Sequence, residues 1–263
     1  MKENTFEYLL GLQYLGFRYS GWQKQPGQRT VESMLRKTLK FVRPKERFKV
    51  LASGRTDAKV SALGATCSLI SEKAIRDLEM FMAELNRNLP PDIRALHMMP
   101  CPPDFNIIQS AIGKEYVYLF AFGAKSHPFC APFMANFIKD LDIEKMKLGA
   151  GLFMGTHNFS AYTARLQDNT KTTRTVTYSE IKSNTLFTAN FFPKESYMFC
   201  VKGPGFIRYQ IRMMMGALVQ LGSGEMDLGQ IADSLKTGSK TPLTYVAPGS
   251  GLMLKQVDFK GDS

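Results

Sequence analysis

The apolar residues of this chain change period repeatedly, from two to 3.6 and back, so neither an all-helical nor an all-strand fold can use them. Tyr8, Leu10, Leu12 and Tyr14 alternate as one face of a buried strand over Phe6–Tyr14. Val31, Met34, Leu35, Leu39 and Val42 then recur at helical spacing. Thr30 before them suits an N-cap, and Glu32 stands in the first turn, where the helix dipole favours an acid. Strands are expected at 49–53 and 63–70 on either side of the polar segment Gly54–Lys59, which is therefore a loop between sheet elements, a common place for chemistry. A second helix carrying Ile75, Leu78, Phe81, Met82 and Leu85 and a strand at 94–99 complete a β-α-β-β-α-β order.

Pro100, Pro102 and Pro103 interrupt any regular element and mark a seam. The expected organisation is an N-terminal α+β lobe over 1–104, carrying the Asp57 loop, and a C-terminal α+β lobe over 105–263. In the second half the pattern gives strands at 116–122, 174–181, 185–191 and 197–202, with helices at 142–154, 205–221 and 228–235.

No apolar run approaches the roughly 18 residues that a membrane span needs. The polar start Met1-Lys2-Glu3-Asn4-Thr5 lacks the hydrophobic stretch of a signal peptide, so a cytoplasmic protein is expected. Cys67, Cys101, Cys130 and Cys200 are far apart and form no C-x-x-C pair, which reads as reduced, buried thiols. Without ligand-pair spacing, joining them to His97, His127 and His157 in a zinc site is not supported. Lys and Arg number 34 against 23 Asp and Glu, for a net charge of +11. Such an excess favours a polyanionic partner, since each neutralised phosphate releases counterions.

In the segment Ser53–Ser61 a carboxylate at Asp57 can serve as nucleophile or base, and Arg55 offers a planar donor fork. Gly54-Arg55-Thr56-Asp57 resembles the G-R-T-D signature of the TruA-like pseudouridine synthases. The resemblance extends along the chain in order. Tyr19-Ser20-Gly21-Trp22-Gln23-Lys24-Gln25 with Thr30-Val31-Glu32 fits the family's early segment, Leu89-Pro90-x-Asp92-Ile93 its L-P-x-D-I piece, and Phe105 with Lys114-x-Tyr116-x-Tyr118 the next block. Gly155 to Phe159, Arg174-Thr175, Gly205 to Gly216 and Ala247 to Leu254 fit the later ones.

The resemblance implies an α+β fold of two related lobes that share a continuous, mainly antiparallel sheet, with helices on one side and a basic central cleft. It implies isomerisation of uridine within RNA, by default in the anticodon stem-loop of transfer RNA, by a homodimer that uses no cofactor and no metal. Asp57 would be the catalytic residue, whether by attack on C1′, attack on C6 or proton abstraction. Tyr116 would pack on the base, Arg55 would enter the stack left by the flipped uridine, and Arg212 would pair with the aspartate. Arg208 lies four residues before Arg212 and would share its helical face. Basic residues on and after the first helix, from Arg36 to Lys49, could track the RNA backbone. Trp22 reads as a core residue, and His157 and Phe159 as packing or lobe-joining residues.

Four departures from the family pattern stand out. Lys59 replaces a glycine, so the turn after Asp57 forms without a residue that freely takes positive φ. Ser61 stands where histidine is common, Leu15 where an acid is, and Ile108 where an arginine is. These bear on which RNA is recognised, and leave open a synthase acting on ribosomal or messenger RNA, or an inactive RNA-binding member of the fold.

Overall fold

A computed structural model describes residues 5–163, 170–239 and 243–261. In chain order the first elements are β1 (Phe6–Tyr14), α1 (Val31–Val42), β2 (Phe48–Ala52), β3 (Ser61–Ser71), α2 (Leu78–Asn88) and β4 (Ile93–Pro100). There follow β5 (Ala111–Phe122), β6 (Ala135–Phe137), α3 (Ile143–Gly151), β7 (Gly155–Asn158), β8 (Thr173–Val176), β9 (Tyr178–Ser183) and β10 (Tyr197–Gly203). The chain closes with α4 (Gln210–Gly222), α5 (Leu228–Ser234) and β11 (Leu252–Phe259). The fold is mixed α+β with mainly antiparallel strands, and among the described residues no helix is long and apolar enough to cross a membrane.

Two compact units emerge, Met1–Ile112 with Leu254–Ser263, and Gly113–Met253. The end of the chain thus rejoins the first unit, which the expected division at 104/105 did not provide for. In that unit β1 runs antiparallel to both β3 and β4. The far edge of β3 takes β2, in antiparallel register from Phe48 opposite Ser71 to Ala52 opposite Cys67, and also β11. Helix α1 begins as its sequence dictates: Thr30 and Ser33 cap each other's backbone N–H reciprocally, and Val31, Leu35, Leu39 and Val42 are buried. Asp77 caps α2 by accepting from the Met80 N–H.

The second unit is built on β5, which pairs antiparallel with β10 and parallel with β6, while β9 covers the other edge of β10. Three expectations need correcting here. The strand over 174–181 is two strands, because the Thr177 N–H and hydroxyl both donate to the Lys202 carbonyl, at 2.7 and 3.1 Å, and break the run. The strand over 185–191 is a loop. Asn184 folds it back: its side-chain oxygen accepts from the Leu186 and Phe187 N–H groups, and its amide donates to the Phe187 carbonyl and the Ser196 hydroxyl. Local Asx hydrogen bonds outcompeted strand pairing for a β-prone sequence.

The helix over 205–221 begins instead at Gln210. Tyr209 before it is left-handed, φ 65°, so the preceding residues turn rather than coil. Beyond that turn, α4 packs against residues 245–247 so tightly that a Cβ on Gly216 would lie 2.0 Å from the Tyr245 carbonyl oxygen. Gly216→Ala should therefore force the segment off the helix at a cost of about 1–3 kcal/mol. A fall in Tm of several degrees is expected by calorimetry, and an unchanged Tm would refute this packing account.

Candidate active site

The residues singled out by sequence fall into two groups, one in each unit. In the first unit, residues 53–60 link β2 to β3, and the fastenings of this loop come from residues some forty positions earlier. The Trp22 N–H donates to the Thr56 carbonyl at 3.1 Å, and the Lys59 N–H donates to the Tyr19 carbonyl at 3.0 Å. The Tyr14 and Thr56 hydroxyls are 2.8 Å apart. Ser61, at one of the departures, accepts from the Gly16 N–H at 2.9 Å. Approach is so close that a Cβ on Gly16 would sit 2.0 Å from the Val60 oxygen, and one on Gly21, at φ +92°, 2.7 Å from the Thr56 oxygen. Asp57 is half-buried in this frame and Arg55 is exposed.

Lys59 takes φ 66°, the conformation for which glycine is suited. A non-glycine residue in the left-handed region costs about 1–2 kcal/mol. That cost is offset here by its N–H bond to Tyr19 and by its ammonium lying 5.7 Å from the centre of the Phe17 ring. Ile108 is 65% exposed, and it lines an open cavity of about 430 Å³ together with Trp22, Gln23, Glu32, Ser53 and Arg55. Lys59 thus keeps its place within the loop, while Ser61 and Ile108 stand at its edge. Trp22 is itself buried, as expected, with its ring 6.1 Å from that of Tyr14.

Asp92 anchors the fastening segment. Its Oδ2 accepts from Arg18 Nε and Nη2 at 2.9 and 2.7 Å, its Oδ1 accepts the Tyr19 hydroxyl at 2.6 Å, and its carbonyl accepts the Leu15 N–H at 2.9 Å. Burial alone would raise the pKa of this carboxyl, but the Tyr19 hydroxyl and the Arg18 guanidinium outweigh it and leave the group below its ordinary value. Tyr19, through burial first and the adjacent carboxylate second, is pushed up to about 12. Arg29 lies over the Tyr19 ring at 5.2 Å.

In the second unit Tyr116 stands on β5, its ring packed edge-on against Phe206 at 5.6 Å. Lys114 shares its strand face, and burial depresses the pKa of this ammonium. Arg208 and Arg212 do not share a helical face, since α4 begins only at Gln210. They converge all the same, on Tyr209: their guanidinium carbons lie 5.0 and 5.1 Å from the centre of its ring. Arg212 Nε also donates to the Ala247 carbonyl at 2.8 Å, which ties the closing segment to the helix. Tyr209, Lys114 and Asp92 were not singled out as site residues by sequence, although each stands in a segment that carries the family resemblance: Tyr209 in Gly205 to Gly216, Lys114 in the K-x-Y-x-Y spacing and Asp92 in the L-P-x-D-I piece.

A family model described as tRNA pseudouridine synthase matches residues 10–108 and 150–260. The chain belongs to the tRNA pseudouridine synthase family. The tRNA pseudouridine synthase A of Shouchella clausii is 32% identical over 248 residues, covering 94% of this chain and 91% of that protein. Its counterparts in Oenococcus oeni and Listeria monocytogenes are 30% and 31% identical, with 96% and 95% of this chain and 98% and 97% of theirs covered. The family's enzymes are isomerases. For a tRNA pseudouridine synthase, the loop of residues 53–60 is notable for being held by backbone bonds from Trp22 and to Tyr19, with the Thr56 and Ser53 hydroxyls adding side-chain bonds to Tyr14 and to the Thr66 carbonyl.

Of the basic residues from Arg36 to Lys49, Arg36 and Arg43 are engaged internally. Arg36 donates to Glu32 and to the Phe48 and Val50 carbonyls, and Arg43 donates to Glu84. Lys37, Lys40, Lys45, Arg47 and Lys49 are exposed.

The Asp92 network also gives an acid-side test. With a folded pKa below the unfolded one, its stabilisation is complete above the unfolded value and is lost as pH falls through the folded value. The Tm gap between wild type and Asp92→Asn should stay constant from about pH 5.5 to 8 and close below about pH 4. A gap that widens on acidification would contradict the assignment.

Proposed function

We propose that this chain converts uridine to pseudouridine in transfer RNA, most directly in the anticodon stem-loop, with Asp57 as the catalytic residue. In the reaction the N1–C1′ bond breaks, the uracil turns, C5 bonds to C1′, the C5 hydrogen leaves and N1 gains a proton. No electrons are exchanged, and the chain's own acid, base and donor groups suffice for the balance. Tyr116 offers an aromatic face to the uracil. Arg55, exposed on the same loop as Asp57, takes the place of the extruded nucleotide. Arg208 and Arg212 hold negative charge on the substrate or on the carboxylate.

The observation that carries this reading is the Gly54–Asp57 signature set on a backbone-clamped loop, with a half-buried carboxylate and an exposed guanidinium two residues apart. Release of tritium from transfer RNA labelled at uridine C5 tests it. Asp57→Ala should lose at least about a thousandfold in turnover, with RNA affinity within about twofold because phosphate contacts lie elsewhere. Retained turnover, or a collapse of binding, would defeat the assigned role.

One observation favours a second reading of the target. Exposed Ile108, lining the same cavity as Arg55, puts an apolar surface where the family pattern carries an arginine, which alters an RNA contact and keeps a synthase working on ribosomal or messenger RNA as the second reading. Mapping pseudouridine in cells that lack the protein separates the two.

Two copies are proposed to pair, in the cytoplasm where transfer RNA is modified. Support comes from an exposed aromatic cluster: Phe129 and Phe133 are 66% and 37% exposed, the Phe129 ring meets Phe191 edge-on at 5.9 Å, and the Phe191 and Phe133 rings lie 5.5 and 6.5 Å from that of Phe192. Single exposed hydrophobics are ordinary, but contiguous patches mark contact sites. Sedimentation should show a dimer that Phe129→Glu weakens; a monomer at all concentrations would exclude it.

A further inference from the structure

We infer that Asp92 is a positioning residue for the catalytic loop, acting by fixing the Leu15–Trp22 segment on which the backbone around Asp57 is hung. The inference rests on the reading that Asp57 performs the chemistry. Asp92 itself does not belong to the loop; its side chain is 9% exposed and faces Arg18 and Tyr19. The connection runs through the backbone. The Tyr19 N–H closes a turn onto the Gly16 carbonyl at 2.8 Å, and the Tyr19 carbonyl accepts the Lys59 N–H. One side of this short turn is therefore pinned by the carboxylate through Arg18 and Tyr19, while its other side carries residues 56–61.

Lys59 gives the arrangement its leverage. At φ 66° it rests in a backbone region that lysine leaves readily. The bond to Tyr19 is what it has to lose, so anything that loosens Tyr19 lets residues 57–60 relax and carries Asp57 off its line. Small displacements of a reacting group are enough to cost turnover heavily while leaving remote RNA contacts intact. Asp92 thereby governs the rate of the chemical step without touching the uridine.

The test compares wild type, Asp92→Asn, Tyr19→Phe, Lys59→Gly and the Asp92→Asn/Lys59→Gly double variant at pH 7.5. Tyr19→Phe removes one hydroxyl and keeps the ring, so it reports even where Asp92→Asn does not fold. Asp92→Asn should lower kcat by at least about tenfold with RNA affinity within about twofold. Adding Lys59→Gly should return at least about threefold of the loss, because glycine holds the turn without the clamp. A purely structural role for Asp92 predicts no such rescue.

Hydrogen exchange reads the clamp without reference to activity. The Lys59 amide should exchange about tenfold faster in Asp92→Asn, and faster to a smaller degree in Tyr19→Phe, with β1 and β3 unchanged. A Lys59 amide as protected as in wild type in both variants overturns the inference, and so does a kcat deficit that Lys59→Gly leaves untouched. Wild-type protein inactive on every RNA would defeat the proposed function instead, while the exchange result would still decide the clamp.

Discussion

Two backbones approaching to van der Waals contact set the shape of the loop that carries Asp57. The turn of residues 16–22 lies against residues 56–60 closely enough that side chains at Gly16 and Gly21 have no room. The contact is sealed by reciprocal hydrogen bonds: Trp22 and Lys59 each donate across it. Buried backbone groups must be paired, so each of these bonds is costly to break without replacement. The consequence is that Thr56 and Asp57 take their places from main-chain geometry and from the few side chains that hold the two segments, Tyr14, Ser61, Tyr19 and Asp92 among them. Ser61 and Lys59 illustrate this. Ser61 holds the Gly16 N–H with its hydroxyl, and Lys59 adopts a glycine conformation under constraint.

The same economy appears in the second unit. Arg212 joins α4 to the closing segment twice, by its own carbonyl accepting from the Ala247 N–H and by its Nε donating to the Ala247 carbonyl. Its guanidinium then shares the face of Tyr209 with that of Arg208. Two like charges on one ring repel, and the ring quadrupole offsets only part of that. On the proposed reading these two guanidinium groups offer their donor forks to negative charge on the RNA. Tyr209 is left-handed, and the strain stored there is consistent with a turn shaped for position rather than for stability.

Periodicity made most of the fold legible. β1 was readable residue for residue from Phe6 to Tyr14, and α1 with its Thr30 cap likewise, because alternation and capping are local properties. What escaped was non-local or governed by single side chains. Asn184 turned a β-prone run into a loop, Tyr209 delayed a helix by several residues, and β11 found its partner β3 nearly two hundred residues earlier. The signature around Asp57 was equally plain in the sequence. Its anchor was not: Asp92 stands in the L-P-x-D-I piece, which marks a resemblance but gives no role, and its contact with Arg18 and Tyr19 is made across more than seventy residues of sequence.

On the proposed reading, affinity and turnover fall to different parts of this chain, and the reason is electrostatic range. Five exposed basic residues between Lys37 and Lys49, within a chain of net charge +11, attract a polyanion through a field that is insensitive to small displacements of any one of them. A carboxylate acting on a single bond has no such latitude, since its effect depends on placement to within a fraction of an ångström. Rigid backbone packing is therefore concentrated around residues 56–60, whereas the exposed lysines need no comparable support. Selection for a new RNA target can accordingly work on positions such as Ile108 at the edge of the loop, without disturbing the contacts that hold Asp57.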